Sequence, residues 1–88
     1  MKVLVFGAVW CPECIIMKPI LEEIQSEIKN IKIEYYDCDE HKELEKKWNV
    51  KKVPTYIFLN KNNEEVERKT GILSKKKFLS YIEKYNNN

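Results

Sequence analysis

Two glycines and three prolines among 88 residues leave no material for a flexible linker or a low-complexity segment, and no internal repeat is visible. Long apolar runs are missing too. No stretch approaches the roughly 20 residues of a membrane span. The opening Met1-Lys2-Val3-Leu4-Val5-Phe6 has neither the length nor the small-residue cleavage site of a signal peptide. Neither sign of charge prevails: 16 basic and 14 acidic side chains leave a formal charge of +2, too balanced to point to nucleic acid or an anionic membrane. The clusters Lys46-Lys47, Lys51-Lys52 and Lys75-Lys76-Lys77 read as solvated faces. The expectation is one monomeric, cytoplasmic domain over residues 1–88, near the lower size at which a hydrophobic core alone suffices. No nucleic-acid or membrane partner is expected. In a reducing compartment, a closely spaced cysteine pair serves catalysis or metal binding.

Such a pair is present. Trp10-Cys11-Pro12-Glu13-Cys14 follows an apolar run and precedes a helical pattern. Two cysteines three positions apart on a first helical turn share a face, so their α-carbons can come within reach of a disulfide. A bridge this short removes few unfolded conformations and is a poor structural staple. The spacing therefore points to dithiol redox chemistry.

The elements around the pair follow from periodicity. Residues 2–8 form a Val- and Phe-rich run of buried-strand length. From Cys11 to about Lys29, Ile15, Ile16, Ile20, Leu21, Ile24 and Ile28 recur at helical spacing, with Pro19 expected to bend the helix. Residues 31–38 read as a second strand. Asp39 is a candidate cap for a short helix to about Lys47 that carries Leu44 and Trp48 inward. Thr55–Asn60 reads as a third strand, turned at Lys61-Asn62-Asn63 into a hairpin with Glu64–Lys69. Ser74 is a plausible N-cap for a last helix bearing Phe78, Leu79, Ile82 and Tyr85 on one side, and the final asparagines, 86–88, are expected to fray. The order β-α-β-α-β-β-α predicts an α/β fold. Right-handed crossover makes the first two strands parallel, giving a central four-stranded mixed sheet flanked by helices.

At the helix cap, the Cys11 sulfur can accept hydrogen bonds from the free N–H groups of Glu13 and Cys14, and the helix dipole adds its positive end. Both favour thiolate and make Cys11 the candidate nucleophile. Pro12 suits the first helical position. Cys14, deeper in the turn, is the candidate resolving thiol, attacking the mixed disulfide that Cys11 forms with a substrate. A zinc site needs four ligands, and the other soft candidates, Cys38 and His41, lie beyond strand two; no metal and no cofactor are expected. Cys38 is expected to pack as a small apolar side chain and His41 to lie on the surface. Val53-Pro54-Thr55 has two readings. It is a plain strand start, or a cis peptide that brings the Val53 backbone to the rim of the cysteine site, where it could pair with an extended substrate.

Ala8-x-Trp10-Cys11-x-x-Cys14, followed by Pro19-x-Leu21-x-Glu23-Ile24, resembles the active-site strand and helix of thioredoxins. Asp39 with the later Val53-Pro54-Thr55, and Gly71-x-Leu73-Ser74-Lys75 before the last helix, are similar too. The resemblance covers nearly the whole chain. It implies a minimal thioredoxin fold, a cis Pro54 facing the cysteines and thiol–disulfide exchange on disulfide-containing protein substrates. It further implies that Trp10 flanks the redox site, that Gly71 lets substrate approach the backbone, and that a thioredoxin-reductase-type flavoprotein donates electrons. The chain departs from full-length thioredoxins in lacking their leading strand and helix, which leaves a glutaredoxin-sized core. Pro12-Glu13 replaces the usual Gly-Pro, Val5 the buried acid, Tyr35 that acid's lysine partner, and Lys52 the glycine before the cis proline. With the acid gone, Glu13 and water are the expected proton acceptors near Cys14. Asp37 and Asp39 are expected to leave strand two on the far side of the sheet's edge. Two other readings stay open. One is a glutathione-dependent, glutaredoxin-like activity, although Gly71-Ile72-Leu73-Ser74 lacks the Gly-Gly and acidic clamp for glutathione. The other is a binding module acting through Trp10 and Pro54 without turnover, against which two intact cysteines argue.

Overall fold

In a computed structural model of the chain, which describes residues 1–86, the two strands that are apolar at nearly every position occupy the middle of the sheet. These are β1 (Lys2–Gly7) and β3 (Thr55–Leu59); β2 (Lys32–Asp37) and β4 (Glu65–Thr70), which carry more charge, form the edges in the order β2-β1-β3-β4. A central strand covered on both faces must be apolar in both directions, whereas an edge strand keeps one side wet. β1 runs parallel to β2 and antiparallel to β3, and β3 runs antiparallel to β4. The helices are α1 (Pro12–Glu27), α2 (Lys42–Lys47) and α3 (Lys75–Asn86), completing the expected order and mixed sheet.

Side-chain alternation splits the core into two layers. Val3 and Val5 of β1 and Tyr56 and Phe58 of β3 face α1 and α3, meeting Met17, Leu21, Ile24, Phe78 and Ile82. The intervening Leu4, Phe6, Ile57 and Leu59 face the other way, toward Cys38, Val50 and the half-buried Leu44 and Trp48 around α2.

Three local expectations are corrected. Ile15 and Ile16 are 61% and 51% exposed, while Met17 is fully buried. The stripe that meets the sheet is Cys14, Met17, Leu21 and Ile24, which leaves the two isoleucines beside it facing outward. The helix, which includes Pro19, closes at Glu27, short of Lys29, where the Ile28 N–H reaches the Ile24 carbonyl at 2.9 Å. Asp39 does not cap α2. The Asp37 carbonyl accepts from Glu40 and His41 N–H at 3.1 and 2.9 Å, turning the chain once more and placing His41 at the cap. Of the tail 86–88, Asn86 is the last residue of α3, and positions 87 and 88 lie outside the described residues.

The hairpin and last cap form as their residues suggest. The Asn60 side-chain oxygen accepts from the N–H groups of Asn62 and Glu64 at 2.8 and 3.0 Å, and Ser74 Oγ accepts from Lys77 N–H at 3.1 Å. The strand register sets one edge of the sheet. Gly7 lies against Asp37, Phe6 against Thr55, and Thr55 against Thr70. α1 begins where β1 ends, so the cysteine turn hangs over that edge.

Candidate active site

Cys11 is the N-cap of α1, in an extended conformation that lets its side chain fold back over the first turn. Its sulfur accepts the Cys14 N–H at 3.2 Å, one of the two donors expected for it. The Cys11 thiol also lies 3.7 Å from the Val53 carbonyl oxygen, to which it donates. Pro12 takes the first helical position, where it forfeits no hydrogen bond. Glu13 is exposed.

Cys14 is turned inward and is 2% exposed. Its thiol is pushed up to about 12, first by burial, then by its hydrogen bond with Cys11 and the charges of Cys11 and Glu13; a backbone hydrogen bond at Ala8 opposes them. The two sulfurs thus sit one turn apart in different surroundings. Cys38 packs in the α2-side core, as expected of a small apolar side chain. Its thiol also rises to about 12, mainly from burial and then from a hydrogen bond with Glu45. All three cysteines are free thiols. His41 stands edge-on to Tyr36, ring centres 5.2 Å apart.

The remaining candidates gather around this turn. The Val53–Pro54 peptide is cis, and the Pro54 carbonyl accepts the Gly71 N–H at 3.0 Å. Gly71 has φ +83°, a left-handed conformation that glycine adopts without penalty, and its carbonyl accepts from the Tyr56 hydroxyl at 2.8 Å. Trp10 is 65% exposed, with its indole N–H donated to an Asp39 carboxylate oxygen at 2.9 Å. A groove of about 470 Å³ runs from Trp10 along the Lys51–Val53 segment.

The expectation that Asp37 and Asp39 leave strand two away from the site is overturned. Asp39 holds Trp10. Asp37 lines a second cavity, of about 390 Å³, that also reaches Cys14, Lys18, Tyr35 and His41. The parallel register pairs Val5 with Tyr35 and Gly7 with Asp37, which puts Tyr35 and Asp37 on the α1 face of the sheet. Above Gly7, where a Cβ would stand, the Tyr35 hydroxyl oxygen comes within 2.1 Å and Cys14 Sγ within 3.3 Å. Gly7 is therefore glycine for space, since its φ is not among the positive ones. Tyr35 and Gly7 were not picked out as site residues from the sequence. The available signal was strand parity, which becomes readable once the register is known.

Comparison with known proteins agrees with this fold. The family model described as Thioredoxin matches residues 1–84. The thioredoxin of Rickettsia bellii is 34% identical over 84 residues, covering 94% of this chain and 76% of that protein. The thioredoxin of Chlamydia trachomatis is 32% identical over 80 residues, covering 91% and 78%. The crystal structure of thioredoxin NaTrxh from Nicotiana alata superposes with a TM-score of 0.89 at 28% identity, over 97% of this chain and 72% of that one. The chain belongs to the thioredoxin family and is, in general terms, a thiol–disulfide oxidoreductase.

Proposed function

We propose that the protein reduces disulfides in other proteins, with Cys11 as the attacking thiolate and Cys14 as the resolving thiol. The observation that carries this reading is the asymmetry of the pair. Both cysteines are buried, at 5% and 2% exposed, but Cys11 Sγ sits at a helix cap with the Cys14 N–H at 3.2 Å, while the Cys14 thiol is held protonated. Burial disfavours charge on either sulfur, and the helix cap opposes that at Cys11 alone, so attack begins at Cys11.

The first exchange joins Cys11 to one substrate sulfur and releases the other as a thiol. The second joins Cys14 to Cys11 and frees the remaining substrate sulfur, so two electrons pass to the substrate and the protein leaves as its Cys11–Cys14 disulfide. A flavoprotein of the thioredoxin-reductase type restores the dithiol. Protein substrates are supported by what surrounds the cysteines. Val9, Trp10, Ile15, Ile16 and Ile72 are all large, apolar and exposed, a grouping that suits an apolar polypeptide surface. Trp10, Pro12, Glu13, Val53, Pro54 and Gly71 form the substrate-facing rim in this reading, with the groove beside Val53 taking an extended segment.

Trapping tests it. Incubated with oxidised insulin, Cys14→Ser protein should accumulate a mixed disulfide through Cys11, whereas Cys11→Ser protein should form none. A trapped adduct on Cys14 in the Cys11→Ser protein, at a rate matching the first, would reverse the roles. The donor is read separately, by whether NADPH with a thioredoxin reductase, or glutathione, recycles the oxidised protein.

A further inference from the structure

We propose that Tyr35 is a positioning residue for the resolving step: its hydroxyl steadies negative charge on Cys14 Sγ as the thiol proton leaves through the cavity bounded by Asp37. The proposal rests on the dithiol reading above and adds the group that makes its second half work. The first support is convergence. The Tyr35 oxygen and Cys14 Sγ flank one point above Gly7, at 2.1 and 3.3 Å, and any side chain at position 7 would occupy it. The second is the ring's placement. Lys18 Nζ lies 5.6 Å from the Tyr35 ring centre, so α1 holds the edge-strand phenol from above while its tip reaches inward. The third is access. Tyr35 lines the same 390 Å³ cavity as Cys14 and Asp37, which gives a departing proton a polar outlet.

The step balances without an outside oxidant. The Cys14 S–H bond breaks and its electron pair forms the bond to Cys11 Sγ. The bond from Cys11 to the substrate sulfur breaks, and that sulfur leaves with its pair and takes a proton from solvent. The proton from Cys14 passes to water or to the Asp37 carboxylate. A phenol hydroxyl is a suitable partner for the transient anion. It donates a hydrogen bond, and burial with the nearby Cys14 and Asp37 charges keeps its own proton on, since these raise it above its ordinary value. The titratable groups facing Cys14 come from every neighbouring element. Cys11 caps α1, Glu13 and Lys18 lie on α1, Tyr35 and Asp37 on β2, Tyr56 on β3, and Glu40 and His41 on the turn before α2. Of these, Tyr35 is the one whose oxygen shares with the sulfur the space above Gly7.

The test is stopped-flow reaction of the reduced chain with one equivalent of dithiobis(nitrobenzoate). Attack by Cys11 releases the first thionitrobenzoate, and resolution by Cys14 releases the second. Tyr35→Phe keeps the ring and its contact with Lys18 but removes the oxygen. The second phase should slow roughly tenfold, the scale of one hydrogen bond to a charged group, with the first phase within about twofold of wild type. From pH 6 to 9 the logarithm of the second rate should rise along parallel lines in the two proteins, the variant below. Gly7→Ala, which keeps the oxygen but drives it from its place, should slow the second phase as well. A second phase in Tyr35→Phe as fast as wild type, or equal slowing of both phases, overturns the inference. Loss of the first phase in Cys11→Ser is expected; its survival there overturns the dithiol reading itself.

Discussion

Unfolding should make Cys14 and Cys38 far more reactive to iodoacetamide, by a factor that follows from their surroundings. Both thiols are raised from 9.0 to about 12, with burial the leading cause. Near pH 8 that shift cuts the thiolate fraction roughly a thousandfold relative to an exposed cysteine. The loss is partly offset, because a more basic thiolate is more nucleophilic. A Brønsted slope of about 0.4–0.5 over this span returns roughly 15- to 30-fold in rate. The net protection from ionisation alone is then about 30- to 60-fold, and steric exclusion at 2% and 5% exposure adds to it. Cys11 is itself only 5% exposed, and what sets it apart is its place at the helix cap, where its sulfur accepts the Cys14 N–H. A short iodoacetamide pulse near pH 8, with and without concentrated guanidinium, followed by peptide mass analysis, reads all three sites at once. In the folded protein Cys11 should be labelled first, and guanidinium should accelerate the other two by at least about 30-fold. Equal labelling of Cys14 in folded and unfolded protein would refute the reasoning, because neither burial nor the Cys11 contact could then be holding its proton.

Two further outcomes follow from single residues. The Cys38 thiol is raised in the fold, so its stabilising contribution is whole below about pH 9 and is lost as pH climbs toward about 12. From pH 8 to 10 this group alone should remove about 1.3 kcal/mol; urea melts of reduced Cys38→Ala should show that much less alkaline loss than wild type, and parallel losses would contradict it. Gly71→Ala meets open space, but its φ of +83° penalises any Cβ, so stability should fall by about 1–2 kcal/mol. Cys11 labelling should be unaffected, and an unchanged urea midpoint would show that the turn can relax.

What was legible in the sequence was local. Val- and Phe-rich runs, the Ser74 cap and the Asn-rich hairpin turn each carry their structural cause within a few residues, and all of them formed. The cysteine turn is of the same kind: Pro12 and the i, i+3 spacing suffice to put Cys11 at the cap and Cys14 inside. Apolar composition along α1 does not by itself place each side chain, because only one stripe of a helix can meet a sheet. Ile15 and Ile16 flank that stripe and contribute instead to the apolar surface around the cysteines. The placement of Asp37 and Asp39 turned on one extra turn of chain before α2, a matter of two backbone hydrogen bonds to the Asp37 carbonyl. Tyr35 was legible only as a substitution. That its hydroxyl ends over Gly7 depends on the register of two strands separated by a whole helix, which no local pattern encodes.

Sulfur chemistry at this turn is ordered by geometry in the proposed reaction. The free N–H groups of a helix point to its cap and to no later residue, so Cys11 receives their support and Cys14 does not. Cys14, one turn on, faces the sheet and pays for desolvation as an anion. Forming the mixed disulfide changes that balance. It removes the charge on Cys11 and its hydrogen bond with Cys14, two of the causes that keep the second thiol protonated, and leaves burial and the charge of Glu13. The first exchange thereby prepares the second. Burial remains the larger obstacle, and with Val5 fully buried in the apolar layer, strand one offers no carboxylate to help. Relief must come from a group that reaches the sulfur without carrying charge into the core. The phenol proposed for this stands on the neighbouring edge strand, and the absence of a side chain on Gly7 is what admits its oxygen beside Cys14.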